Sequence, residues 1–205
     1  MSIFWATQYR PDDTAATIAS FGEVSEMFAG IGASQTRLLV AITQDVGTMA
    51  VVTNWESLGE AVSAFDPVDG AAYKAIAASP TLSAQLAAAG PPLRRVIGNI
   101  DFSLGDTSAG TYAVNVVQST SAGPDLWAEA AEAAWSALQA GGASGLQVAR
   151  VLTGDLTGLS IGTVFVDDVN QFTDVLASLP PRLIEIFAAT GTTTTMRNIH
   201  RVVSS

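Results

Sequence analysis

The sequence contains no cysteine and a single histidine among its 205 residues. Without cysteine, the chain can form no disulfide bond, no thiolate zinc site and no cysteine nucleophile. A lone histidine, with no cluster of other ligating residues around it in the sequence, argues against a structural or catalytic zinc site. We therefore predict no metal site, and the lack of cysteine fits a reducing, cytoplasmic location.

Basic residues are few, because nine lysines and arginines stand against 19 acidic residues, for a net charge of −10. Such a surface repels a phosphate backbone, which argues against nucleic acid as a partner. No apolar run approaches the roughly 18 residues of a membrane span, and the N-terminus lacks the pattern of a signal peptide. We therefore expect no membrane contact and a cytoplasmic protein. Its hydrophobic content of 48% predicts a sizeable core.

An internal repeat organises the chain. The segment from Thr43 to Trp55 resembles the segment from Thr153 to Phe165, and both ends of the match are 110 residues apart (43 to 153, 55 to 165). Near the ends of the copies the spacing falls to 103, where Leu93-Arg94 matches Met196-Arg197. The sequence therefore predicts a first unit over residues 1–100, a polar, Gly- and Ser-rich linker over 101–110, and a shorter second unit over 111–205.

Both copies predict the order strand, helix, strand, strand, helix, strand. Ser57, followed three residues later by Glu60, forms a capping box at the start of the second helix. The strands are apolar on both faces, as in residues 38–42, so both faces of each sheet must be covered. Helices cover one face, and the sheet of the sister unit is the simplest cover for the other. The prediction is an α+β fold of two tandem βαββαβ units whose antiparallel sheets pack face to face.

This pattern resembles the dimeric α+β barrel superfamily of ferredoxin-like units, and within it the antibiotic-biosynthesis-monooxygenase-like branch. The resemblance rests on Asn-Trp-Glu-Ser-Leu at residues 54–58 and on the Ser-Pro segment at 79–86. It covers most of residues 1–100 and, more faintly, 111–203. Because both units lie on one chain, the resemblance implies either a monomer with an internal pseudo-dimer or a homodimer.

The resemblance also implies a small hydrophobic or aromatic molecule as the partner, bound between the sheet and the helices of one unit. The implied chemistry is cofactor-free oxygenation or isomerisation of an aromatic or polyketide-like compound. Haem-degrading members combine a strand Asn, a strand Trp and a helix His. Trp55 and Asn115 occupy two of these positions, but in different units, so we expect neither haem nor any other cofactor.

His200 and Asn115 are the candidate catalytic residues. His200 lies on the last strand and has a reference pKa near neutrality, which suits proton transfer. Asn115 would orient a substrate. The alternative for His200 is a histidine satisfied within the fold, because the 103-residue spacing gives it an ordinary apolar counterpart, Ile97.

Four further residues are candidates for substrate binding. Trp5 and Trp55 lie on strands and would form the walls of a flat pocket, with plain core packing as the alternative. Arg95 and Asn198 are counterparts at the 103-residue spacing, and an Arg on a sheet can bind a carboxylate or phenolate or can fix the register between units. The function predicted is small-molecule binding, possible catalysis included. The alternative is a non-catalytic ligand-binding or assembly protein that has lost the catalytic residues.

Overall fold

The computed structural model describes residues 2–177 and 179–203, so the outer ends of the predicted units, residues 1 and 205, lie outside the described residues. The strands of this part are β1 (Ser2–Tyr9), β2 (Gln35–Ala41), β3 (Met49–Trp55), β4 (Arg94–Gly105), β5 (Tyr112–Ser119), β6 (Gly145–Thr153), β7 (Ser160–Val166) and β8 (Thr193–Val203). Its helices are α1 (Thr14–Ala19), α2 (Phe21–Gly30), α3 (Leu58–Ala64), α4 (Ala71–Ala78), α5 (Pro80–Ala89), α6 (Pro124–Ala140), α7 (Val169–Ala177) and α8 (Pro181–Ala189). None of these helices combines the length and the apolar character that crossing a membrane requires.

The eight strands form one closed barrel in the order β1-β3-β2-β8-β5-β7-β6-β4. Each unit contributes four antiparallel strands in the ferredoxin-like arrangement, and the two sheets join where β2 pairs with β8 and β4 pairs with β6. The predicted α+β class and the barrel of facing ferredoxin-like sheets are confirmed. Pairing at the sheet edges was not part of the prediction. It leaves no edge strand with free N–H and C=O groups.

Strand β4 extends five residues into the segment predicted to be a linker. Residues 101–105 belong to β4 and pair with β6 up to Gly105. Phe102 and Leu104 pack against the core of the second unit, which favours the extended conformation over a loop. The connection to β5 is therefore shorter than the sequence indicates.

The first helical segment ends in the same way in both units. The N–H of Ala33 donates to the carbonyl of Phe28, and the N–H of Ala143 donates to that of Leu138. This bond pattern requires a left-handed residue just after the helix, and Gly32 supplies it in the first unit with φ 106°. The capping box predicted at Ser57 is confirmed on its Ser side, because its hydroxyl accepts the N–H of Glu60 at 3.2 Å.

The structural spacing of the repeat differs from the sequence spacing within the strands. The N–H of Ser34 donates to the carbonyl of Asn54, and that of Ser144 donates to Phe165, so Asn54 and Phe165 are equivalent, 111 residues apart. The second hairpin therefore contains one extra residue. A slip of one residue moves a strand side chain to the other face of the sheet.

The pairings on either side of β1 and β5 correct the sequence-based equivalences. Phe4 pairs with Asn54 and Gly98, while Ala113 pairs with Phe165 and His200. The counterpart of His200 is therefore Gly98, not Ile97. By the same register the counterpart of Asn115 is Ala6 rather than Trp5, that of Arg95 is Arg197, and that of Asn198 is Val96.

Candidate functional site

Two cavities lie on opposite faces of the first unit's sheet. Side chains alternate along a strand, so Trp5 and Tyr9 of β1 face the helices, whereas Phe4 and Gln8 face the barrel interior. We call the first space the helix-side cavity and the second the barrel cavity. The predicted site residues are divided between them.

The helix-side cavity has a volume of about 390 Å³ and lies between the first unit's sheet and its helices. Its lining is mostly apolar and includes Trp5, Phe21, Val24, Met27, Phe28, Leu38, Met49, Val51, Phe65 and Leu82. The corresponding space in the second unit is about 120 Å³. Three helices follow β3 in the first unit, whereas two follow β7 in the second, so the first unit has a longer helical cover above its sheet.

Aromatic rings form one wall of the helix-side cavity. The Trp5 indole stacks on the Phe65 ring with centroids 4.3 Å apart, and Phe28 lies 5.6 Å from Phe65. Trp55 does not line the cavity. It is 1% exposed, packs edge-on against Phe65 at 5.8 Å and donates its Nε1–H to Thr53 Oγ1 at 2.8 Å. Trp55 therefore supports the aromatic wall from behind.

The polar groups of the helix-side cavity are few. Burial raises the pKa of Tyr9, and the nearby Arg95 guanidinium opposes this rise, so the Tyr9 phenol is a neutral donor at physiological pH. Arg95 itself is exposed and lies on β4 opposite Thr7. The side-chain oxygen of Gln85 is buried without a hydrogen-bond partner. An apolar ligand would therefore meet a donor and a free acceptor.

His200, Asn115 and Asn198 all line the barrel cavity, which has a volume of about 150 Å³ and receives side chains from both units. Thr163 Oγ1 donates to Asn115 Oδ1 at 2.9 Å, and Asn115 Nδ2 lies 3.5 Å from His200 Nδ1. An amide nitrogen can only donate, so Nδ1 accepts and the proton of the neutral ring is assigned to Nε2. Burial lowers the pKa of His200, and Asp45 opposes this shift, so the ring is neutral at pH 7.

The position of His200 follows from packing. In the first unit the large ring of Phe4 pairs with Gly98, and in the second unit the small Ala113 pairs with His200. A Cβ on Gly98 would stand 2.2 Å from Phe4 Cε1, so the two positions share one volume. His200 occupies the space that Ala113 leaves.

The six predicted site residues therefore do not form one site. Trp5 lines the helix-side cavity and Arg95 lies near its Tyr9, while His200, Asn115 and Asn198 face the barrel interior. The prediction placed Asn115 at the position of Trp5, and the single extra residue in the second hairpin explains the error. Among the residues that the structure describes, no group of three or more His, Asp and Glu side chains is placed to hold a metal ion.

The sequence interpretation missed Tyr9, Phe65, Gln85 and Arg37. Tyr9 carried a signal, because it shares the strand parity of Trp5. Arg37 also carried one, as a charged residue followed directly by the apolar run 38–42. Phe65 and Gln85 carried none, because they reach the cavity only through the packing of α3 and α5.

No protein-family model matches the chain, and no curated protein matches its sequence. Similar solved structures include an anthrone oxidase-like protein (TM-score 0.54, 11% identity, 98% of this chain and 91% of that chain covered). A ferredoxin-fold protein of Listeria monocytogenes related to antibiotic biosynthesis monooxygenases gives a TM-score of 0.51 at 11% identity, covering 98% and 94%. A heme-degrading enzyme of Listeria monocytogenes gives 0.50 at 11%, covering 98% and 99%. The expected resemblance to the dimeric α+β barrel superfamily is confirmed at the level of the fold.

Proposed function

We propose that the protein binds a flat, largely apolar small molecule in the helix-side cavity of the first unit. The observation that carries this proposal is the cavity itself, at about 390 Å³ against about 120 Å³ in the sister unit. Its volume falls within the range of roughly 300–1,000 Å³ that is usual for ligand sites. The protein thus has one open helix-side site, and the duplication has confined it to one unit.

The chemistry of the walls defines the ligand. The Trp5–Phe65 stack offers a flat aromatic surface, against which another ring packs by offset stacking. The phenol of Tyr9 donates a hydrogen bond, and the oxygen of Gln85 accepts one. A fused-ring phenol satisfies all three features, since it brings a flat face and a hydroxyl group that both donates and accepts.

A cofactor-independent monooxygenase or isomerase reaction is the second candidate function. Two observations favour it: the apolar, sheltered site and the likeness of the fold to an anthrone oxidase-like protein. His200 and Asn115 take no part in this candidate, because they lie in the other cavity. Tyr9 is the ionisable side chain among the lining residues that the structure describes, with Arg95 beside it. This scarcity of proton acceptors favours binding without catalysis.

Titration with 2-naphthol, followed by calorimetry, tests the binding proposal. Val24 lines the helix-side cavity, and Val24→Trp fills it, so we expect the affinity to fall at least about tenfold. The matched control is Ala134→Val, because Ala134 is the counterpart of Val24 and lines the smaller cavity. Equal affinity of the wild type and Val24→Trp would refute the proposal.

A separate assay tests the catalytic candidate. Anthrone is incubated with the protein and molecular oxygen, and anthraquinone formation is followed by absorbance, one water being released per oxygen consumed. A catalytic site predicts a rate above the buffer background that falls in Val24→Trp and in Tyr9→Phe. A background rate with intact 2-naphthol binding leaves ligand binding as the function.

A further inference from the structure

The barrel interior contains a buried positive charge without a partner carboxylate. Arg37 of β2 is 4% exposed and lines the barrel cavity. None of the ion pairs among the described residues involves it. A buried charge is costly unless it is paired and hydrogen-bonded, so this guanidinium calls for an explanation.

The hydrogen bonds of Arg37 satisfy only part of the guanidinium. Its Nη2 donates to the side-chain oxygen of Gln35 and to the carbonyl of Thr107, while its Nε is buried with no partner. The ring of Phe165 lies 4.6 Å from the guanidinium carbon and holds the plane in place. Burial lowers the pKa of Arg37 to about 10, so the group keeps its charge at neutral pH.

The acid that acts on Arg37 electrostatically is Asp106, which lies outside the cavity. Its carboxylate is exposed and already accepts hydrogen bonds from the backbone N–H and the hydroxyl of Ser108. Asp106 therefore reduces the cost of the buried charge without occupying the donor that Arg37 has free. Asp45 and Arg94 also line the cavity, and Arg94 is paired with Asp155.

Polar side chains of the second unit form a row across the same cavity. Asn115 pairs in register with Thr163 on one side and with Asn198 on the other, and Thr163 pairs with Gln147. These four residues all line the barrel cavity. The first unit has apolar residues, Val52, Ala6 and Val96, at three of the four equivalent positions. The cavity therefore joins one cation to several amide groups within apolar walls.

We propose that the barrel cavity is a second ligand site, which binds a small organic monocarboxylate with its charge on Arg37 and its body among Phe4, Leu39 and Val96. The planar fork of an arginine suits a carboxylate, and an amide row offers donors for its second oxygen. The volume of about 150 Å³ suits a molecule near the size of benzene, since an engineered cavity of about 150 Å³ takes up benzene.

Benzoate and its neutral isostere benzamide are the probes, titrated into the full chain by calorimetry. We expect benzoate to bind at least about tenfold more tightly than benzamide, and Arg37→Gln to abolish that preference. Val24→Trp fills the other cavity and should leave benzoate binding unchanged. The failure of this proposal is therefore distinguishable from the failure of the proposed function.

A second variant keeps the test decisive if Arg37→Gln does not fold. Ala50 lines the barrel cavity, so Ala50→Leu fills part of it and retains Arg37. We expect Ala50→Leu to weaken benzoate binding by a similar factor. Equal binding of benzoate and benzamide, or full benzoate affinity in folded Arg37→Gln or in Ala50→Leu, would overturn the proposal, as would no benzoate binding to the wild type.

Discussion

The exchange of volume between Phe4 and Gly98 predicts strong coupling between two substitutions. A Cβ at Gly98 would stand 2.2 Å from Phe4 Cε1 and 2.8 Å from the carbonyl oxygen of Arg150. Overpacking of this kind costs roughly 1–3 kcal/mol, so we expect Gly98→Ala to destabilise the protein by that amount. Phe4→Ala removes a ring that is 7% exposed, at a cost of about 3–5 kcal/mol.

A double-mutant cycle measures the coupling through urea unfolding followed by circular dichroism. With Phe4 reduced to Ala, the new methyl group contacts only the Arg150 carbonyl, so Gly98→Ala should cost less, by about 0.5–3 kcal/mol. Gly162→Ala is the control, because a Cβ there meets nothing nearer than the Val116 carbonyl oxygen at 3.9 Å. Additive costs for Phe4→Ala and Gly98→Ala would refute the argument that packing places His200.

Two further outcomes concern stability. Because burial lowers the pKa of His200, its neutral form is favoured in the native state. Stability should fall as pH drops below about 6.5, the unfolded value, towards the lower native value, and His200→Asn should lose less in acid unfolding curves. An identical acid limb in the variant would contradict this. Ser57→Ala removes the cap on Glu60 and should cost about 1 kcal/mol in urea unfolding, whereas no change would contradict the capping assignment.

Much of the fold was predictable because its signals are local. Period and turn chemistry predicted β3 with its observed bounds, and Ser57 predicted the start of α3. The end of β4 was not predictable in this way, since Gly and Ser around residue 105 indicate a loop and only pairing with β6 makes the segment a strand. Closure of the barrel likewise depends on pairing between distant strands.

The candidate site was less predictable, because it depends on which face of a strand a residue occupies. One extra residue in the second hairpin moved the counterpart of Asn115 from Trp5 to Ala6, and no local signal marks that insertion. The prediction that a pocket lies between the sheet and the helices of one unit remains the basis of the proposed function. Its residues changed, because Phe65 and Gln85 approach Trp5 only in the folded chain.

The most direct test of ligand binding in the helix-side cavity is the ¹⁵N spectrum of the four indole N–H groups during titration with 2-naphthol. Trp5 lines the helix-side cavity, Trp127 lines the smaller cavity of the second unit, and Trp55 is buried. We predict a saturable shift of the Trp5 signal that is absent in Val24→Trp, with Trp127 unchanged. A shift confined to Trp127, or no shift of Trp5 at saturation, would contradict the proposal.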